Sequence, residues 1–296
     1  MTAQPTTAAG VPAAVPARRR RPRRIAGPLV RRAVAVVVGL VFLAPFYWVL
    51  ITSVARNGDV YRFPPSLVPH WHWINYRRAW DAAPWPRLFG NTLLIASGTV
   101  LLALITSVLA GYAFGVLRFR GRRALFAVVM AVMLIPQTVL IIPDYIIAQS
   151  INWLDTYWIQ IIPWGASVFG IFLVRQFFAN LPEELFDAAE LDGAGRLRML
   201  WSIGVPMVRP ALLIVGLNVF MGSWNSFLWP FLMTSSGSHV QPIEVGLASF
   251  YGTEGTDWTG LSAAVAFTTA PILVLFLILQ KHFVTGAYST AAGIRG

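Results

Sequence analysis

Six stretches of the chain run for 19 residues or more without an Asp, Glu, Lys or Arg: 33–55, 88–117, 124–143, 156–174, 210–243 and 258–280. At 1.5 Å per residue, roughly 20 helical residues cross a hydrocarbon core about 30 Å thick, and buried helices of soluble proteins seldom run so far without a charge. Only 12% of the 296 residues are charged, where soluble domains carry about 25%, and mean hydropathy is +0.63. A closed barrel would also satisfy the backbone in lipid, but it needs alternating segments of about ten residues. A run such as ALFAVVMAVMLIP at 124–136 does not alternate. The expectation is an all-α polytopic membrane protein with six transmembrane helices, near 33–55, 90–117, 124–143, 156–178, 210–233 and 258–280. They would form one domain over 31–296, behind a disordered, Arg-rich tail at 1–30.

The basic residues orient these spans. If the N-terminus is cytoplasmic, 18 of the 23 Lys and Arg fall inside and five (Arg56, Arg62, Arg77, Arg78 and Arg87) fall outside. That asymmetry follows the positive-inside rule and places both termini in the cytoplasm. The formal net charge of +11, concentrated in RRRRPRR at 18–24, invites a nucleic-acid reading. Basic residues flanking membrane helices are better explained by topology and by contact with anionic lipid, so lipid rather than nucleic acid is the expected partner. The first apolar run is a full span with no convincing small-residue cleavage site, so it should stay as a helix and not leave as a signal peptide.

Cofactor and catalytic chemistry find little support. There is no Cys, which excludes disulfides, iron–sulfur clusters and thiolate zinc sites. Among the four His, only His70 and His72 are close, with no carboxylate at ligand spacing beside them in the sequence. The single Lys, Lys281, is followed by His282, so no phosphate-binding loop of the GxxxxGK[ST] kind exists. No Gly-x-Ser-x-Gly or His-Glu-x-x-His pattern occurs. The reading is a non-enzyme without catalytic or metal residues or a bound cofactor, and any energy must come from another subunit.

The most informative polar segment is 181–210, LPEELFDAAELDGAGRLRMLWSIGVPMVRP. Pro182 suits the first turn of a helix, and Glu183, Glu184 and Asp187 suit its positive N-terminal end. Ala188 and Ala189 are small enough to let another surface come close. Asp192-Gly193 signals a turn in which Gly can take positive φ. A second helix, basic at Arg196 and Arg198, then leads to Pro206 and Pro210, which break the chain before the fifth span. A solvated connecting loop is the bland alternative, but the ordered series acid, small, turn, basic, Pro favours docking onto a partner.

Within the apolar runs, Gln137, Asn218 and Asn225 are amides, and Trp224 and Trp229 lie beside them. Polar groups in a span tend to face a bundle interior or a wet cavity. Aromatic faces next to amide donors suit a sugar, with its C–H patches and hydroxyls. Most of the 12 Trp should instead belong to the interfacial aromatic belt.

Several of these passages resemble the permease subunits of ABC importers. The 181–210 loop looks like the family's EAA loop, with Asp187-Ala188-Ala189, Asp192-Gly193-Ala194 and Pro206-Met207-Val208-Arg209-Pro210 at the motif positions. Asp187 departs from the usual Glu, keeping the charge on a shorter reach. The passages 73–97, FRGRRALF at 119–126, IPQTVLIIP at 135–143, SWNSFLWPF at 223–231 and the ending GAYSTAAGIRG are similar to the MalG-like carbohydrate-uptake branch. The resemblance implies a bacterial plasma-membrane heterodimer with a second homologous permease, two ABC ATPase subunits that use ATP and Mg, and an extracytoplasmic solute-binding protein. It further implies that Glu183, Glu184, Asp187, Ala188, Ala189, Asp192, Gly193, Ala194 and Arg196 form the ATPase-coupling helix and its turn, and that a sugar or sugar-like solute moves by alternating access.

Glycerol-phosphate or polyol import is the neighbouring substrate reading. An ion-coupled secondary transporter is disfavoured because the charged residues fall at the ends of the apolar runs and in loops, whereas proton relays usually need one inside. A membrane scaffold would use the same loop for a non-ATPase partner. The orientation is testable: reporters fused after Arg295 and within 63–70 should report inside and outside respectively, and the reverse pattern would overturn it.

Overall fold

The computed structural model describes residues 26–292 apart from 65, 253 and 254. Of the tail assigned to 1–30, residues 1–25 lie outside the described residues, as do 293–296 at the end of the similar C-terminal passage. The chain divides into two units, 1–47 and 48–296, with the boundary inside α1 (Ala26–Ser53). The second unit continues through α2 (Ile74–Asp81), α3 (Trp85–Gly115), α4 (Arg122–Val132), α5 (Gln137–Ser150), α6 (Tyr157–Ile161), α7 (Val168–Ala179) and α8 (Glu183–Leu191). After these come α9 (Arg196–Met199), α10 (Val205–Met207), α11 (Arg209–Trp224), α12 (Leu228–Met233), α13 (Ile243–Leu247) and α14 (Trp258–Ala292). A two-residue antiparallel pair, Tyr251–Gly252 with Gly255–Thr256, precedes α14.

Among the described residues, four helical segments are long and apolar enough to cross a membrane: Val30–Ser53, Trp85–Gly115, Tyr157–Ala179 and Trp258–Leu275. Two bent pairs raise the number to six if each is one span. The third apolar run, expected as one helix over 124–143, is α4 and α5 meeting at 91°. Pro136 has no N–H to donate and disfavours helix at the residue before it. The chain tightens into three-residue turns there, with Met133, Leu134 and Ile135 donating to Met130, Ala131 and Val132. The fifth run likewise ends its helix at Trp224, resumes as α12 at Leu228, and enters through a 78° bend after α10. Helix also extends past the charge-free runs: α5 includes Asp144, beyond the span expected over 124–143, and α7 includes Arg175, within the span expected over 156–178.

At the centre, α3 packs along both α7 and α11. Pro84 and Pro86 open α3 where missing N–H groups cost nothing, and its 31 residues extend about 46 Å. Small residues let α7 come close. A Cβ on Gly111 would lie 2.7 Å from Val174 Cγ1, and one on Gly115 would lie 2.7 Å from Phe178 Cβ. Gly111 and Gly115 form a small-xxx-small stripe, the usual device for close helix approach in lipid. Across the same seam a Cβ on Gly170 would lie 2.3 Å from Ser107 Oγ. Two hydroxyls buried in α3 bond back to carbonyls four residues earlier, Thr92 to Leu88 at 2.9 Å and Thr99 to Ile95 at 2.8 Å, so they cost little, whereas Ser107 Oγ at the seam has no partner among the described residues.

Gly111→Val should therefore strain the α3–α7 seam by about 1–3 kcal/mol and lower the thermal midpoint of the purified protein in detergent. Gly90→Ala, whose added methyl meets nothing within 4 Å, should leave the midpoint unchanged or raised.

Candidate functional site

Two hollows lie at different heights along the α3–α7 pair. The larger is a cavity of about 460 Å³ bounded by α3 (Thr92, Ile95, Thr99), the α4–α5 break, the α6–α7 segment, α11 and α12. Of the sequence candidates, Gln137, Asn218 and Trp229 line it. Gln137 arrives because the Pro136 break places it at the first residue of α5. Trp229 is buried on α12, where its Nε1 donates to the Ile159 carbonyl at 3.0 Å and its ring meets Trp164 edge to face, with centroids 5.3 Å apart.

Trp224 and Asn225 do not line the cavity. Trp224 is 4% exposed and packs between Phe89 and Phe220. Asn225 caps α11, its Nδ2 donating to the Met221 carbonyl at 2.8 Å, so its amide is spent on a group freed by the helix end.

Other lining residues had no signal in a linear reading. Gln160, on α6, is 2% exposed, and its sealed Nε2 has no hydrogen-bond partner among the described residues. Thr92 accepts the Ile243 N–H at 2.8 Å while Asn91 Nδ2 donates to the His239 and Gln241 carbonyls at 2.7 and 2.8 Å. Tyr157 donates to Asn91 Oδ1 at 2.8 Å. These bonds seat the segment before α13 on the start of α3 and use Asn91 as donor and acceptor at once. Partners some 150 residues apart leave no trace in spacing. Similarly, the fold brings Asp59 Oδ2 within 3.6 Å of His70 Nδ1, a neighbour that the sequence did not put beside the two His.

The second hollow, about 340 Å³, lies between the C-terminal end of α3 and the 181–210 segment. Its wall mixes Arg118, Arg122 and Arg196 with Glu183, Asp187 and Glu190. Glu183 and Glu184 occupy the first turn of α8, and Glu183 pairs with Arg118 across to the segment after α3. Both partners are exposed, so that pair orients more than it stabilises. The anchoring is apolar: Phe186 and Ala189 turn inward and join Tyr112, Val174, Phe178, Met199 and Leu200 in one cluster. Ala188 and Asp187 are exposed, Asp187 on the hollow. The two alanines therefore divide their roles: Ala189 lets α8 sit close beneath α3 and α7, and only Ala188 is free to meet another surface. Leu191, at the end of α8, and Leu197, on the helix after the turn, are 90% and 69% exposed.

The turn after α8 is held by a pair of backbone bonds. Gly193 N–H donates to Glu190 at 3.0 Å and Ala194 N–H to Ala189 at 2.9 Å, with Gly193 at φ +78° after Asp192. This is the Schellman arrangement, which requires a left-handed residue in the Gly193 position. Arg196 then begins α9, and a π-helical turn (Leu200–Gly204) and α10 lead to the bend before α11.

A mainly helical domain thus carries, along one helix pair, a cavity at one height and an ordered polar loop at another. Residues 103–287 match the family described as binding-protein-dependent transport system inner membrane component, and the chain belongs to that family. It is 32% identical over 263 residues to the sn-glycerol-3-phosphate transport system permease protein UgpE of Yersinia pestis bv. Antiqua, covering 86% of this chain and 93% of that one. It is 31% identical over 245 residues to the arabinooligosaccharides transport system permease protein AraQ of Halalkalibacterium halodurans, covering 83% and 86%. Among solved structures, a bacterial ABC transporter that imports the acidic polysaccharide alginate has a chain of the same fold, with TM-score 0.74 and 22% identity over 88% of this chain and 98% of that one.

Gly193→Val should cost on the order of 1–3 kcal/mol of local strain and abolish hydrogen-exchange protection at the Gly193 and Ala194 amides. Gly193→Asn, with a side chain that tolerates the left-handed region, should retain most of that protection.

Proposed function

We propose that this chain forms half of the translocation path of an ATP-driven importer for a sugar or sugar-like solute. In this reading the two bent pairs each count as one span, giving six, and both termini are cytoplasmic. A homologous permease supplies the other half, and two ABC ATPases that use ATP and Mg sit beneath. A solute-binding protein delivers the solute outside. α8 serves as the coupling helix, with Ala188, Leu191 and Leu197 toward the ATPase.

The observation that carries this reading is the shared helix pair. α3 and the α6–α7 segment line the cavity with Thr99, Gln160 and Val168, and line the loop hollow with Tyr112 and Phe178. A displacement of α8 thus has a packed route to the cavity, as alternating access requires. The cavity suits a small solute, since such sites span about 300–1,000 Å³, and it combines two Trp faces with amides and hydroxyls. The relatives, arabinooligosaccharide and sn-glycerol-3-phosphate permeases, support a sugar or a glycerol-phosphate. The diacetylchitobiose permease NgcG of Streptomyces coelicolor, 29% identical over 258 residues, supports the former.

Purification through this chain should bring a second permease and an ABC ATPase in fixed ratio, and reconstituted vesicles should accumulate solute only with ATP and the binding protein. Uptake driven by an ion gradient without an ATPase would contradict the proposal.

A further inference from the structure

We infer that α4 and the end of α7 hold the phosphate of an anionic phospholipid, received by Arg175 and Arg123, with Phe126 as the plate on which Arg175 is seated. This site rests on the orientation proposed above, which puts the 116–123 segment and the end of α7 at the cytoplasmic leaflet. It narrows the general contact with anionic lipid expected from the sequence to one place and two side chains.

The first observation is the state of Arg175. It lies on α7 one turn before Ala179, inside the span expected over 156–178. No carboxylate comes within ion-pair distance of it among the described residues. Its Cζ sits 4.3 Å from the centre of the Phe126 ring on α4. Its Nε is sealed and unpaired, whereas Nη1 and Nη2 are not sealed and make no hydrogen bond among the described residues. One edge of the guanidinium is thus closed against its own chain, and the other keeps its four N–H donors unspent. A ring face offsets only part of the cost of a charge at membrane depth, where ionisable groups nearly always find a partner. The open edge has the planar fork that matches two oxygens of one phosphate.

The second observation comes from α4 and is independent. Residues 118–143 hold Arg118, Arg120, Arg122 and Arg123 and no Asp or Glu. Arg118 is taken by Glu183, and Arg122 gives Nη1 to the Leu117 carbonyl at 2.9 Å. Arg123 is exposed and has no partner among the described residues. It stands three positions before Phe126, so the two share a helix face, the one on which Arg175 is seated. Beyond these cations α4 is apolar and bare: none of its residues is buried, and Leu125 and Val128 are 52% and 63% exposed. Cations beside an uncovered apolar helix suit a molecule with a phosphate at one end and hydrocarbon at the other. Free phosphate would use only the first. Basic sites between membrane helices on the cytoplasmic side are where anionic headgroups settle.

The test uses the whole purified transporter, stripped of lipid, with binding read by native mass spectrometry and by the thermal midpoint. The probes are phosphatidylglycerol, phosphatidylcholine and inorganic phosphate. Phosphatidylglycerol should bind in preference to phosphatidylcholine and raise the midpoint, and inorganic phosphate should not raise it. Arg175→Gln should weaken phosphatidylglycerol binding about tenfold, the scale of a hydrogen bond to a charged group, and Arg175→Lys, which keeps the charge without the fork, should weaken it less. Arg123→Gln, an exposed change that leaves the helix seams alone, should weaken it too, and Arg78→Gln, across the membrane in the proposed topology, should not. Equal binding of the two lipids overturns the inference, as does phosphatidylglycerol binding unchanged in Arg123→Gln or in assembled Arg175→Gln. An equal midpoint rise with inorganic phosphate assigns the site to a free anion and overturns the lipid part. Loss of the partner permease in Arg175→Gln, with lipid binding intact in Arg123→Gln, gives Arg175 to the subunit interface and also overturns it. A reporter placing 116–123 outside is a different failure, that of the orientation itself.

Discussion

The close approach of α3 and α7 organises everything else in the second unit. Lipid supplies no hydrophobic drive between helices, so close packing must be built from shape. Gly111, Gly115 and Gly170 provide it by leaving no room for a side chain where Val174, Phe178 and Ser107 lie. A pair packed this closely moves as one body, because interiors at this density are not continuously deformable. Thr99, in the cavity wall, and Tyr112, above the loop, are 13 positions apart on α3, or about 20 Å along the axis. The pair is therefore a rod with a cavity against one part and the 181–210 loop against another.

The loop is joined to this rod by apolar contact more than by charge. Phe186 packs against Tyr112 at 6.1 Å, and Tyr112 against Phe178 at 5.5 Å edge to face. The acidic and basic residues of the loop line an open hollow, where salt and water weaken their pairing. Hence α8 can be firmly seated on its own chain by one face while presenting Ala188 and exposed leucines on the other. The Schellman turn at Gly193 fixes the angle at which that outer face is offered.

Much of this was legible in the sequence, for physical reasons. Charge-free runs report burial in hydrocarbon directly, and Asp192-Gly193 reports a left-handed turn. The order of acid, small and basic residues in 181–210 reports a helix, a turn and a second helix. What escaped was anything decided by two distant segments meeting. Gln160 looks like any polar residue near a span start. Asn91 and Tyr157 are unremarkable until the segment carrying His239 and Gln241 folds onto α3. Trp224 and Asn225 looked equivalent to Trp229, yet the helix ends between them, so one is core, one is a cap, and only Trp229 reaches the cavity. Pro136 was visible, but not that its break would turn a presumed straight span through 91° and carry Gln137 to the cavity wall.

The central claim is that the outward face of α8 seats in an ATPase while its inward face holds the rod. The absence of native cysteine makes a clean experiment available. Single cysteines at Ala188, at Ala189 and at Ser66, which the proposed topology puts across the membrane from α8, can be treated in native membranes with a short thiol-to-amine cross-linker. The account predicts a covalent adduct with the ABC ATPase from Ala188→Cys and little or none from Ala189→Cys or Ser66→Cys. No adduct from Ala188→Cys in an assembled complex, or an equal one from Ser66→Cys, would contradict it.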